Sequence, residues 1–118
     1  MDIGDFNGFC ASLPATTHVV QWRGAHVWKI GGKVFAIAHD AADGQCAVTF
    51  KTSVMSYEIL KDQPGCRPAP YLASRGMKWI QRTGAQSMDD AALCDYLRQS
   101  HALVAAGLSK KARGTLGL

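Results

Sequence analysis

The stretch HVWKIGGKVFAIAHD, residues 26–40, decides the fold. Apolar side chains recur at alternate positions on both sides of Gly31-Gly32, the period of a strand rather than of a helix. Two adjacent glycines supply the positive φ that both central residues of a two-residue primed turn require. The segment therefore predicts a β-hairpin with Ile30 opposite Lys33, Lys29 opposite Val34 and Trp28 opposite Phe35.

Working outward, the period-two pattern predicts an antiparallel meander with strands over residues 18–23, 26–30, 33–39 and 46–51. AADGQ, residues 41–45, supplies the reversal before the last of them. If His39 pairs with Cys46, Phe35 meets Phe50 and Val34 meets Lys51. One face then collects Trp28, Ile30, Phe35, Ile37, Val48 and Phe50 as a core. Lys29 and Lys51 fall on the other face, flanking a floor of Val27, Val34, Ala36, Ala38, Ala47 and Thr49, with Lys33 at the hairpin tip.

Ile3, Phe6, Cys10 and Leu13 sit at three- and four-residue spacing, the stripe of an amphipathic helix that Pro14 closes. TSVMSYEILKD, residues 52–62, reads as a short second helix capped by Thr52 or Ser53. The three prolines of QPGCRPAPY, residues 63–71, exclude regular helix and predict a rigid loop, with Tyr71 packed on the sheet edge. GMKWIQRTG, residues 76–84, alternates again and reads as a fifth strand. Ser87 or Asp89 caps a last long helix with Leu93, Leu97, Ser100 and Val104 inward and Gly107 at its end. The expected class is α+β: one domain over residues 1–118, an antiparallel sheet of about five strands backed by N- and C-terminal helices, and a basic tail at about 108–118.

Composition narrows function mainly by exclusion. Apolar residues make up 47% of the 118 and charged residues 19%, which is globular rather than disordered. The net charge of +4 is unevenly placed, because residues 1–22 contain no Lys or Arg. Cys10, Cys46, Cys66 and Cys94 are far apart with no C-x-x-C pair, which argues against a structural zinc site and for reduced thiols in the cytoplasm. No basic-then-apolar leader and no apolar run of the ~20 residues that span a bilayer is present, so no membrane association is expected.

FCASLP (9–14), QW (21–22), KIGGKVFA (29–36), PAPY (68–71), the lone Trp79, and SHALV (100–104) before LSKKAR (108–113) are individually weak signals. Together, in this order and spacing, they resemble the MmcQ/YjbR-like family of small bacterial proteins over about residues 6–113. The resemblance implies a frataxin-like (CyaY-like) α+β fold with a double-wing arrangement, a DNA-binding role assigned on structural grounds, and no enzymatic activity or cofactor. At His101 the family usually carries tyrosine, so a hydrogen bond made by that hydroxyl is not assured here.

Phosphate binding needs spaced cations. The candidates are Arg23, Lys29, Lys33 and Lys51 on the meander, with Lys78 and Arg82 on the fifth strand. The competing reading is that these are solvated charges guarding a sheet edge. Trp28 and Trp79 are expected in the core, and the face of Trp22 depends on the length of the preceding turn, since one residue flips it. His18, His26, His39 and His101 show no metal-binding spacing, although His26 and His39 share a potential sheet face. Asp2 and Asp5 stand nearly alone, too sparse for the carboxylate cluster that iron binding requires. Cys66, beside Arg67, is the one candidate exposed thiol, and no base can be named for it. The expectation is a non-enzymatic DNA-binding protein without metal or cofactor. The alternative is a protein-interaction or small-ligand module using the Pro-rich loop and the small-residue sheet face. Neither protein partner nor oligomeric state is specified by these residues.

Overall fold

A computed structural model describes residues 1–41 and 44–118. The first helix, α1 (Ile3–Ser12), opens with a reciprocal cap in which Asp2 accepts from the Asp5 amide and Asp5 from the Asp2 amide. Four strands follow: β1 (Thr16–Gln21), β2 (Ala25–Ile30), β3 (Lys33–Asp40) and β4 (Cys46–Lys51). After α2 (Val54–Leu60) come β5 (Cys66–Pro68), a single 3₁₀ turn (Ala73–Arg75) and β6 (Trp79–Arg82). The chain ends in α3 (Asp90–Ala106) and α4 (Lys110–Thr115). Ser53, Asp89 and Ser109 are the N-caps of α2, α3 and α4, each accepting from the backbone amide three residues on.

All strands run antiparallel in one sheet of order β1-β2-β3-β4-β6-β5. The expected count of about five was short by β5, which lies in the stretch read as loop. Its prolines are tolerated because β5 is an edge strand with a single neighbour. Part of the reversal expected at residues 41–45 lies outside the described residues.

Helices α1 and α3 cover one face. Phe6 and Cys10 from α1 and Leu93, Leu97 and Val104 from α3 meet Trp28, Ile30, Phe35, Val48, Phe50 and Ile80 in one buried cluster. Here the hairpin departs from its simplest register. Ile30 pairs with Lys33 and Lys29 with Val34, but Trp28 pairs with Ala36, so Phe35 is an extra residue and forms a β-bulge. Phe35 and Ala36 both join the core, which turns Ile37 to the opposite face and brings Ala38 inward. The β3–β4 ladder is correspondingly displaced: Asp40, not His39, pairs with Cys46, and Ala36 pairs with Phe50.

Helix α3 secures the bulge. The buried Ser100 hydroxyl donates to the Phe35 carbonyl at 2.6 Å and accepts from the Lys51 amide at 2.9 Å. These are the two backbone groups that the displaced ladder would otherwise bury without partners. His101, next on the helix, shares a hydrogen with the Pro14 carbonyl at 2.8 Å and meets the Phe35 ring edge-on at 5.2 Å. At this position, where the resemblance implies a tyrosine in most relatives, the imidazole of this chain bonds to a backbone carbonyl. Beyond Gly107 the chain folds back as α4, with Leu108 buried against the hairpin turn. Gly31 has φ +59°, and a Cβ there would lie 2.8 Å from Leu108 Cδ1, so any other residue would strain the backbone and push Leu108 aside. Among the described residues no helix is long and apolar enough to cross a membrane.

Candidate nucleic-acid interface

The face opposite α1 and α3 can be followed across the ladders. Val19, Val27, Ile37, Thr49, Gln81 and Arg67 form a single cross-strand row through all six strands. Val27, Ile37, Thr49 and Gln81 are buried, so the row is a closed floor rather than an open groove. Two further cations stand beside it: Lys29, opposite Thr17 and Val34, and Lys51, opposite Trp79. Both are half-buried, their stems against the sheet.

Arg67 is the site residue that sequence reading missed. Its Nε donates to Gln81 Oε1 at 2.8 Å, and Gln81 Nε2 donates to Thr49 Oγ1 at 3.3 Å. This relay fixes the guanidinium over the floor. Its terminal nitrogens have no protein hydrogen bond among the described residues. The usable signal was an arginine between a cysteine and a proline at an edge strand, where proline is allowed.

The carboxylates lie elsewhere. Asp2 and Asp5 cap and begin α1, Glu58 and Asp62 belong to α2 and its end, and Asp89, Asp90 and Asp95 to α3. Asp40 pairs with Cys46, a member of the core, and so faces the helices. Among the described residues, no carboxylate stands on the open face, and Lys29, Lys51 and Arg67 make no ion pair.

The other predicted cations are dispersed. Lys33 is exposed at the β2–β3 tip, adjoining Lys29. Arg23 is exposed at the opposite end of β2, in the three-residue turn Trp22–Arg23–Gly24, all with positive φ. That turn leaves Trp22 57% exposed. Lys78 lies on the helix side with Nζ 4.8 Å from the centre of the Tyr57 ring. Arg82 is no surface cation at all. It is buried, donates from Nε and Nη2 to the Met88 carbonyl at 3.1 and 2.9 Å, and pairs with Asp90 at 3.0 Å. One position along a strand separates Gln81, on the open face, from Arg82, on the covered one.

Several other expectations need correction. Trp79 is buried, but on the open face and away from the helix-side core, since it pairs with Lys51. Tyr71 is not packed on the sheet edge: it is 83% exposed, with φ +66°. His26 and His39 do not converge, because His26 faces α1 while His39 pairs with Ala47 on the other face. Cys66 packs against the helix-side core, whereas Arg67 points the other way. Burial pushes the Cys66 thiol up, and the opposing influence of Arg82 does not reverse it. An activated nucleophile is therefore not what this loop provides. A cleft of about 390 Å³ opens beside Met1, Cys46, Arg82 and Asp90, lined by β6 and the segment after it rather than by the Pro-rich loop itself, and its charged groups neutralise one another.

The family model described as YjbR matches residues 11–103. The chain belongs to the YjbR family. Among curated proteins none matches it. A YjbR-family fold also appears in the crystal structure of Deinococcus radiodurans protein DR2400, described with a DUF419 domain. That structure superposes with a TM-score of 0.83 at 23% identity, over 99% of this chain and 88% of the other. At that identity the likeness speaks for the shared fold alone. The YjbR match spans α3 as far as Leu103 and so takes in Ser100 and His101.

Proposed function

We propose that this YjbR-family protein binds nucleic acid, DNA in the first instance, without catalysis, by gripping phosphates with the open face of its sheet. Lys29, Lys51 and Arg67 are the contacts on that face, and Lys33 extends them at the hairpin tip. Arg23 makes a separate contact at the far turn. Lys78 and Arg82 drop out of the set because one lies over Tyr57 and the other is buried.

The observation that supports this reading is the segregation of charge. Carboxylates are confined to the helix side among the described residues, while the open face carries cations that no ion pair consumes. A flexible lysine and a rigid, side-tethered arginine suit phosphate oxygens, and the Gln81 carboxamide in the same row is buried and spent on Arg67 and Thr49 rather than free to read a base edge. Binding is accordingly expected to depend on salt and little on sequence.

Fluorescence anisotropy of labelled duplex DNA across a salt series tests the proposal. Each of Lys29→Gln, Lys51→Gln and Arg67→Gln should weaken binding and flatten the log–log salt slope by about 0.9. No binding by the folded wild type at low salt, or slopes unchanged in all three variants, would reject it. Binding of some other partner that survives high salt would instead favour the protein-interaction module.

A further inference from the structure

Four side chains join α1, β1 and β2 at the free edge of the sheet. Trp28 Nε1 donates to Asn7 Oδ1 at 2.9 Å. Asn7 Nδ2 lies 3.2 Å from His26 Nδ1, and His18 Nε2 lies 3.1 Å from that same nitrogen. His18 also stacks on Trp28, with centroids 4.8 Å apart and planes 18° from parallel.

An indole nitrogen can only donate, so it sets the direction of every bond after it. Asn7 must turn its oxygen to Trp28 and therefore its NH₂ to His26. His26 Nδ1 is then an acceptor, with the ring proton on Nε2, and His18 must donate from its own Nε2. Two hydrogens thus converge on one lone pair. One added proton can be held between the two rings, but with both rings protonated the Asn7, His18 and His26 N–H groups face one another without an acceptor, and the contact must break. His18, already exposed, has solvent to move into.

Few other titratable groups face the pair. Asp40 ends β3 on the same side, two residues beyond Ala38, the ladder partner of His26. On α1, Asp2 and Asp5 cap each other and Cys10 is buried. On α3, His101 is engaged by Pro14 and Phe35. Among the described residues none of these bonds to either imidazole.

We propose that the Trp28–Asn7–His26–His18 chain is an acid-opened latch on the edge strand. With both rings neutral it ties β1 to β2 and, through Asn7, to α1. Protonation of both rings leaves these donors without an acceptor, swings His18 off Trp28 and loosens β1 with its Trp22–Gly24 turn. Burial, and then the neighbouring His26, already holds His18 below the ordinary imidazole value of 6.5. A base whose pKa is depressed by folding stabilises the fold above that value. The contribution disappears as pH falls through the lowered one.

Amide hydrogen exchange, corrected for its intrinsic pH dependence, tests the latch. Between pH 8 and pH 5 the β1 amides of the wild type should lose on the order of tenfold more protection than those of β4. His26→Gln accepts both hydrogen bonds but cannot titrate, so its β1 should show no such excess. Equal loss in β1 and β4 of the wild type, or an undiminished excess in the variant, overturns the proposal. Should His26→Gln not fold, long-range ¹H–¹⁵N spectra of the wild type at pH 8 decide. Both rings must carry their proton on Nε2, and a proton on His26 Nδ1 refutes the latch.

Discussion

Arg67 and Arg82 belong to neighbouring strands and lie one ladder position apart, yet they face opposite sides of the sheet. Arg82 is enclosed between β6 and the start of α3, where the Met88 carbonyl and Asp90 satisfy it. Arg67 is steadied by a neutral glutamine and presents the rest of its guanidinium outward. The same side chain is a structural fastener on one face and an outward guanidinium without an ion pair on the other. Composition counts both as one positive charge, so only the burial and the partners separate the cations that hold the fold from those available to a ligand.

Substitutions that break this contrast should differ in kind as well as size. The largest stability loss is expected from Ser100→Ala, which orphans both the Phe35 carbonyl and the Lys51 amide. At ~1–3 kcal/mol for a buried group left unsatisfied, urea denaturation should show a loss of about 2–4 kcal/mol. Arg82→Ala should cost about 2 kcal/mol by the same assay, in the range for hydrogen bonds from a charged donor. Gly31→Ala should lose ~1–2 kcal/mol through its left-handed backbone, with the contact to Leu108 adding to it. Arg67→Gln and Lys51→Gln should stay within ~0.5 kcal/mol of wild type while changing the salt dependence of DNA binding. A stability loss at Arg67 as large as that at Arg82 would erase the distinction. Smallest of all, Cys66 should react with a thiol-specific reagent more slowly in the native protein than in urea, as its raised pKa requires.

The meander, the long helices and most caps were legible because each depends on local periodicity or on one capping residue. Phe6, Cys10, Leu93, Leu97 and Val104 were found for that reason. The bulge at Phe35 was not legible. FAIA fits strict alternation, and only the packing of α3 makes two successive residues face inward. That single insertion moved Ile37 and Ala38 to opposite faces from those expected. The candidate site was half-legible: Lys29 and Lys33 follow from the turn, whose local register held, and Lys51 from the alternation along β4, although its expected pairing with Val34 did not hold. Arg67 was hidden because three strand residues leave no measurable period. Arg82 was misplaced because alternation gives its side of the strand but not what covers that side. The His18–His26 contact joins diagonal positions on paired strands, which neither ring's spacing in the chain reveals.

The Ser100 hydroxyl also bears on how the sheet reaches its final alignment. Sliding β3 by one residue against β4 restores unbroken alternation, so two hairpin alignments are open to the isolated strands. In the bulged one the Phe35 carbonyl and the Lys51 amide stand at a distance that one hydroxyl bridges. The oxygen of a helix residue far along the chain thus acts as a proofreader for a decision made between strands. A chain truncated before α3 would lose that bridge together with half of the layer that covers the sheet.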